Sequence, residues 1–291
     1  FAVCGGDDDT PATATSAPSG TQPTATVVIP TVARLVPTAT PQTAAPTQVP
    51  AAPTAAPAAG PTGTLNVGVA LITPANFLPS KIPWPGNLNI VSWGVGEGLI
   101  RQDYAPPPLI GPLNNEGIAP TWEIASDMSK ITFDIREGVQ FHGDWGELTA
   151  VDAAFSFNEA IGDGSTWARV EMGDFVDNAV AEDDRTLVLN FKKWESRWYG
   201  WMWNTTGACP MVSKKAFDDL GFDEAVLTPV FTGPFSVDNW KANDVVELSA
   251  VEDHWRATPH VANVEIVEIP EVAARLAAIK TGEIEITQLP N

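Results

Sequence analysis

The sequence predicts a mixed α+β, or complex α/β, fold that begins near residue 64. Three observations carry this. Apolar residues alternate with period two in several short runs, as half-buried strands require. Other runs open on a Ser or Thr cap and close on glycine, as helices do. The two kinds are interleaved without the regular strand–helix–strand spacing of a doubly wound sheet.

Thr10–Gly63 stands apart, being almost entirely Thr, Ala, Pro, Ser, Gln and Val. Such a segment lacks the aromatic surface that offsets ordering entropy, and its prolines remove backbone donors. It is expected to form a disordered, extended stalk (residues 1–63 with the N-terminus), open to O-glycosylation on composition. Thr64–Leu71 then alternates, with Leu65, Val67, Val69 and Leu71 on one face of a strand. A loop broken by four prolines follows at Thr73–Gly86, and Ile90–Ile100 reads as a short helix. Tyr104–Asn115 is a Pro/Gly-rich loop.

Lys130–Arg136 is a second alternating strand, turned at Glu137-Gly138, with Val139–His142 extended again. Thr149 and Asp152 make a capping box for a helix over about Ala150–Ile161, with Val151, Ala154, Phe155 and Asn158 giving a mixed apolar face. Asp183-Asp184-Arg185 is a turn into a strand at Thr186–Phe191, and Trp194–Trp203 is crowded with aromatics. Ser213 caps a helix at Lys214–Leu220 that Gly221 stops. Strands follow at Phe235–Trp240, Val245–Ala250 and Val264–Ile269, then a helix at Glu271–Lys280 ended by Gly282, and an extended Glu283–Ile286.

The formal net charge of −20 over 291 residues repels phosphate backbones, so nucleic acid is not an expected partner. The acidic residues are spread over most segments past Ile118 and mark no single site. Cys4 and Cys209 make no disulfide framework. No run of 18 or more apolar residues offers a membrane-spanning helix. The first residue is Phe1 rather than Met, which reads as a start inside a longer precursor. Phe1-Ala2-Val3-Cys4 resembles the end of a bacterial lipoprotein signal, although Val3 stands where Gly, Ala or Ser is usual. With the stalk directly behind it, Cys4 is expected to carry a lipid anchor, and the protein to sit outside the cytoplasmic membrane, touching it through that anchor alone.

Signs of catalysis are sparse. His142, His254 and His260 form no His-x-x-x-His pair, and Cys-x-x-Cys, Gly-x-Ser-x-Gly and Walker patterns are absent. Gly94–Gly98 is glycine-rich but lacks the last glycine of a dinucleotide loop, and Asp183-Asp184 falls at a turn. No catalytic residue, metal or cofactor is expected.

Four phrases in order carry a resemblance. Phe133–Asp152 contains Arg136-Glu137-Gly138-Val139-Gln140-Phe141-His142 and ends on Thr149-Ala150-Val151-Asp152. Phe231-Thr232-Gly233-Pro234-Phe235 precedes Trp240, Asp253-His254-Trp255 precedes Pro259, and Ala274-Arg275 leads to Gly282-Glu283-Ile284-Glu285-Ile286. Together they resemble the extracellular solute-binding proteins of ATP-driven (ABC) importers, in the oligopeptide, dipeptide and nickel family. Two departures stand out: Gly143-Asp144 inverts the usual Asp-Gly, and His254 replaces a common Tyr. The resemblance implies a periplasmic-binding-protein-like clamshell. Residues 64–291 would be its first lobe, with an inserted subdomain at about 86–184, and the second lobe would lie beyond Asn291. It implies a peptide or similar small organic ligand, and an ABC permease in the membrane as partner. It also implies ligand contacts at Thr73 and Asn76, at Trp203, Asn204 and Thr206, and at Thr287 and Gln288. His254 beside Asp253 would suit nickel or haem in a specialised member. Read from the residues alone, Trp198, Trp201 and Trp203 fit a core better than a ligand wall, because their neighbours are apolar, and Thr287 and Gln288 fit a polar loop exit equally well. A surface-anchored glycan- or peptide-active enzyme would explain the tryptophans, and a stalked adhesin would explain the tether. Neither explains the four phrases.

Overall fold

The computed structural model describes residues 60–78, 80–81, 90–102, 113–114, 116–202 and 209–287, all within the compact unit Ala55–Asn291. In chain order the elements are β1 (Thr64–Val69), β2 (Arg101–Gln102), β3 (Leu113–Asn114), β4 (Thr121–Ile124), β5 (Lys130–Asp134), α1 (Ala150–Ile161), α2 (Trp167–Met172), β6 (Val176–Ala181), β7 (Thr186–Phe191), α3 (Trp198–Met202), α4 (Lys214–Leu220), α5 (Phe222–Ala225), β8 (Phe235–Lys241), β9 (Val245–Ala250), β10 (Asn263–Glu268), α6 (Val272–Thr281) and β11 (Ile286–Thr287). The fold is mixed α/β, as expected.

β4-β5-β7-β6 form an antiparallel sheet. In β5 the buried Ile131 and Phe133 alternate with exposed Lys130 and Asp134, so one face meets a core. Phe157 of α1 and Leu187 and Leu189 of β7 fill that core, and each such side chain contributes about 1.5–3 kcal/mol on leaving water. α1 begins and ends where the sequence places it. Its capping box is formed: Thr149 N–H donates to the Asp152 carboxylate at 2.9 Å, and Val151 N–H donates to the Thr149 hydroxyl at 3.3 Å. The apolar face differs from the expected one. Ala150, Ala153, Phe157 and Ala160 are buried, whereas Val151 is 41% exposed. The reason is the position of the sheet, to which Asn158 ties the helix through both backbone groups of Ala179 in β6.

Three other expectations need correction. Helix is confined to residues 90–92 of the Ile90–Ile100 segment; Gly94, at φ 73°, turns the chain out of it. Val139–His142 forms no continuous strand: a single bridge joins Gln140 to Glu147, flanked by backbone bonds from Leu148 to Val139 and from Phe141 to Gly146. β4, β6, α2 and α5 were not predicted at all.

β11-β1-β10-β9-β8 form the second sheet, with β1 parallel to both β10 and β11 and the other pairs antiparallel. α6 makes the crossover from β10 to β11. Its buried Arg275 donates to the carbonyls of Ile269 and Pro270, and Gly282, at φ 75°, ends it. A second core, containing Phe77, Leu78, Val95 and Phe231, packs on the face that carries Val246, Leu248 and Ile266.

The segment Phe231–Phe235 links this sheet to the rest. Gly233 N–H donates to Val95 C=O at 2.9 Å, and Phe235 N–H donates to Gly94 C=O at 3.0 Å. A Cβ on Gly233 would overlap the carbonyl oxygens of Gly94 and Val95, so only glycine fits. Beside it lies Glu97, a carboxylate buried in the core. Trp255 Nε1 donates to it at 2.9 Å, Thr232 Oγ1 at 3.2 Å and Arg256 Nη1 at 2.6 Å. Arg136 and Arg256 stand over the Trp255 ring at 5.6 and 5.0 Å from its centroid. Burial raises the Glu97 pKa, but the His254 and Arg256 contacts outweigh it and hold the carboxyl below its ordinary 4.5.

Two expectations follow from this join. Gly233→Ala should lower unfolding stability by about 2–4 kcal/mol in urea titration, whereas Gly200→Ala, whose Cβ meets nothing, should change it by less than about 1 kcal/mol. Arg256→Met strands a buried carboxylate and should cost about 3–5 kcal/mol at neutral pH. A depressed pKa stabilises the fold above the ordinary carboxylate range and the contribution fades as pH falls through it. The gap between wild type and Arg256→Met should therefore narrow in acid.

Candidate functional site

A groove of about 430 Å³ opens on the five-stranded sheet. It forms where the second core runs out at the β11 end. Strand alternation supplies its floor: Leu65, Val67 and Val69 of β1 point into it, with Val264 and Ile266 of β10 level with them in register. Ile286 and Thr287 of β11, Phe235 of β8 and Val261 complete the wall, and Ser92 and Trp93 close one side. Gly68 faces the other way, where a Cβ would meet the side chain of Ile284. Among the described residues no charged side chain lines the groove, although the chain carries 36 acidic residues. Apolar walls with a few hydroxyl and backbone groups suit an uncharged organic surface, and the indole adds an aromatic face.

The two local reasons for this site are aromatic packing and the join described above. Trp93 lies against Trp240 at 5.4 Å, and Trp240 in turn meets Phe77 edge-on at 5.4 Å. Phe235 is fixed by its bond to Gly94, the residue after Trp93.

Of the residues expected to touch ligand, Thr287 lies in the groove, and its hydroxyl donates to Gly68 C=O at 2.7 Å. Thr73 is one residue removed: its carbonyl accepts the Trp240 indole N–H at 2.8 Å, which leaves its side chain outside the lining. Asn76 does not reach the groove. Its Oδ1 accepts Leu78 N–H at 3.2 Å and its Nδ2 donates to Lys81 C=O at 3.5 Å, a local turn that consumes the amide. Trp203, Asn204, Thr206, Gln288 and Cys4 lie outside the described residues. Trp198 and Trp201 are buried in the core of the four-stranded sheet. Ser92, Trp93, Phe235 and Ile286 were missed. The sequence places 65, 67 and 69 on one face, but nothing in it shows that the return strand β11 lands beside them.

The histidines are structural. His142 Nε2 donates to Gly233 C=O at 2.8 Å. His254 Nε2 donates to Thr232 C=O at 3.0 Å, while its Nδ1 accepts the backbone N–H groups of Arg256 and Ala257 at 3.4 Å. Both nitrogens of His254 are thus taken, which leaves it no lone pair for nickel or haem. Among the described residues no group of three or more His, Cys, Asp or Glu side chains is placed to hold a metal. Burial pushes the Cys209 thiol well up from its ordinary pKa, so it stays protonated and unreactive.

Comparison with known proteins adds the family. Residues 115–291 match the model of the bacterial extracellular solute-binding proteins, family 5. The dipeptide-binding protein of Escherichia coli (strain K12) is 23% identical over 195 residues, which cover 60% of this chain and 36% of that protein. The oligopeptide-binding protein AppA of Bacillus subtilis (strain 168) is 24% identical over 159 residues, 54% of this chain and 29% of that one. Among solved structures, a dipeptide-binding protein from Pseudoalteromonas sp. SM9913 in complex with Met-Leu shares the fold at a TM-score of 0.67 and 21% identity, covering 79% of this chain and 48% of that one. The chain thus spans less than half the length of each. With the family model covering well over half of its residues, the chain belongs to family 5 of the bacterial extracellular solute-binding proteins.

Proposed function

We propose that the protein is the substrate-binding component of an ABC importer, which captures peptides or similar small organic solutes outside the membrane and hands them to a membrane permease. The observation that carries this reading is the family match over residues 115–291. The relatives named above as dipeptide- and oligopeptide-binding proteins support peptides as the ligand class. The uncharged groove is compatible with it, since backbone amides and apolar side chains are what a peptide offers.

In this reading residues 64–291 form the first lobe, the stretch at about 86–184 is its inserted subdomain, and the complete protein has a second lobe. The share of each relative that the chain covers supports two lobes. Ligand enters the open cleft, touches both lobes and shifts the population toward the closed form, which docks on the permease. The protein is a binder and catalyses nothing. The groove of Trp93, Phe235 and Thr287 is one wall of the cleft. The lipid on Cys4 and the Thr/Ala/Pro stalk hold the protein at the outer face of the membrane, a finer point supported by the Phe1–Cys4 pattern alone.

Calorimetric titration of the complete protein with di- to pentapeptides tests this. Binding at about 1 μM or tighter, with the peptide recovered intact by mass spectrometry, is expected. Cleavage of the peptide, or no binding across the set, would overturn it. Trp93→Ala should weaken that affinity by roughly tenfold or more through loss of aromatic contact, and Tyr199→Ala, on the exposed side of α3, should leave it unchanged. The 291-residue chain alone should bind roughly a hundredfold more weakly than the complete protein, because half of the enclosing surface is absent.

A further inference from the structure

Two of the three histidines hold adjacent carbonyls in the segment that joins the sheets. His254 takes that of Thr232 and His142 that of Gly233. His142 also donates its backbone N–H to Phe231 C=O at 2.7 Å. A carbonyl can only accept, so each ring carries its proton on Nε2. His254 then uses Nδ1 as an acceptor. His142 does not: its Nδ1 is sealed from solvent and has no hydrogen-bond partner. A second proton on His142 would sit on that buried nitrogen, out of reach of solvent and with no acceptor as well placed as Gly233 C=O, the Pro229 carbonyl being the weaker partner of the ring.

The charged groups around it do not offset this. The nearest carboxylate network is that of Glu97, whose Oε2 lies 3.6 Å from His254 Nε2 and whose other oxygen is taken by Arg256. Arg136 stands across the Trp255 ring. Asp253 lines the same small cavity as His142, but it is exposed to solvent.

We propose that His142 is an acid-sensitive fastener: its neutral ring clamps Phe231–Phe235 between the sheets, and protonation releases that segment and, with it, the groove residue Phe235. The clamp rests on the fold and not on the identity of any ligand. Burial lowers the basicity of the ring, and the Gly233 and Pro229 carbonyls and the Glu97 carboxylate only partly counter it. The sign follows from the depressed pKa. The clamp's contribution is complete above the ordinary histidine value of 6.5 and is lost as pH falls through and below it.

The test uses the 291-residue chain with labelled histidine, whose three rings are resolved by NMR. Titrated from about pH 7.5 to about pH 5, His142 should protonate below the ordinary histidine value of 6.5. Over the same range, hydrogen exchange at the Gly233 and Phe235 amides, corrected for intrinsic rate and referred to β5, should speed up by roughly tenfold or more. His142→Gln keeps a donor for Gly233 C=O and should abolish that acceleration. His142 titrating at or above the ordinary histidine value of 6.5, or a flat exchange ratio at Gly233 and Phe235, would overturn the proposal. Both readouts are made on the wild-type chain, so the result stands even if the variant does not fold.

Discussion

The fold depends on one buried carboxylate and the strand entry beside it. Glu97 is buried, yet it remains ionised because Trp255, Thr232 and Arg256 supply donors on both oxygens. Those donors come from positions more than 130 residues away in the chain. A charge so placed has few alternative partners, and misplacing any of them leaves it unpaired at a cost of several kcal/mol. The early turn, the Thr-Gly-Pro segment and the loop after β9 are therefore held in one arrangement. Gly233 adds a steric condition to the electrostatic one, since its backbone lies against the carbonyls of residues 94 and 95.

That arrangement divides the labour between polar and apolar groups. Charge and imidazole are gathered at the join of the Phe231–Phe235 segment, where Glu97, His142 and His254 fix side chains and backbone together. The front of the sheet is left to Val, Ile, Leu, Phe and Trp side chains. A surface of this kind discriminates poorly between apolar side chains, because a methylene more or less changes affinity by only about 1–3 kcal/mol. A wall of this kind suits apolar surface of varied shape and offers no partner to a charge.

Much of this was legible in the sequence where the signal is local. Thr149 and Asp152 announce α1, Ser213 and Gly221 bracket α4, and Gly282 ends α6, because caps answer to backbone groups within a turn of themselves. β4 was not legible: on this edge strand only Trp122 is half-buried and Thr121, Glu123 and Ile124 are exposed, so the alternation is weak. β6 carries a bulge between Val176 and Asn178 that breaks the period. The apolar face of α1 was misjudged because Val151 looks like a core residue and Ala153 does not; only the sheet's position decides between them. Of the groove residues, Thr287 was expected from family likeness, whereas Trp93 and Phe235 depend on pairings across about 140 residues that no local pattern encodes.

The parallel seating of β1 between β10 and β11 has a bearing on biosynthesis. Its partners stand about 200 residues further along the chain, so at ribosomal rates β1 waits roughly 10–40 s for them to be made. Contacts of this range also form slowly once available, since a long loop must close first. The five-stranded sheet therefore stays open while the chain between β1 and β10 is made, whereas the four-stranded sheet, whose strands all lie within residues 121–191, has its partners early.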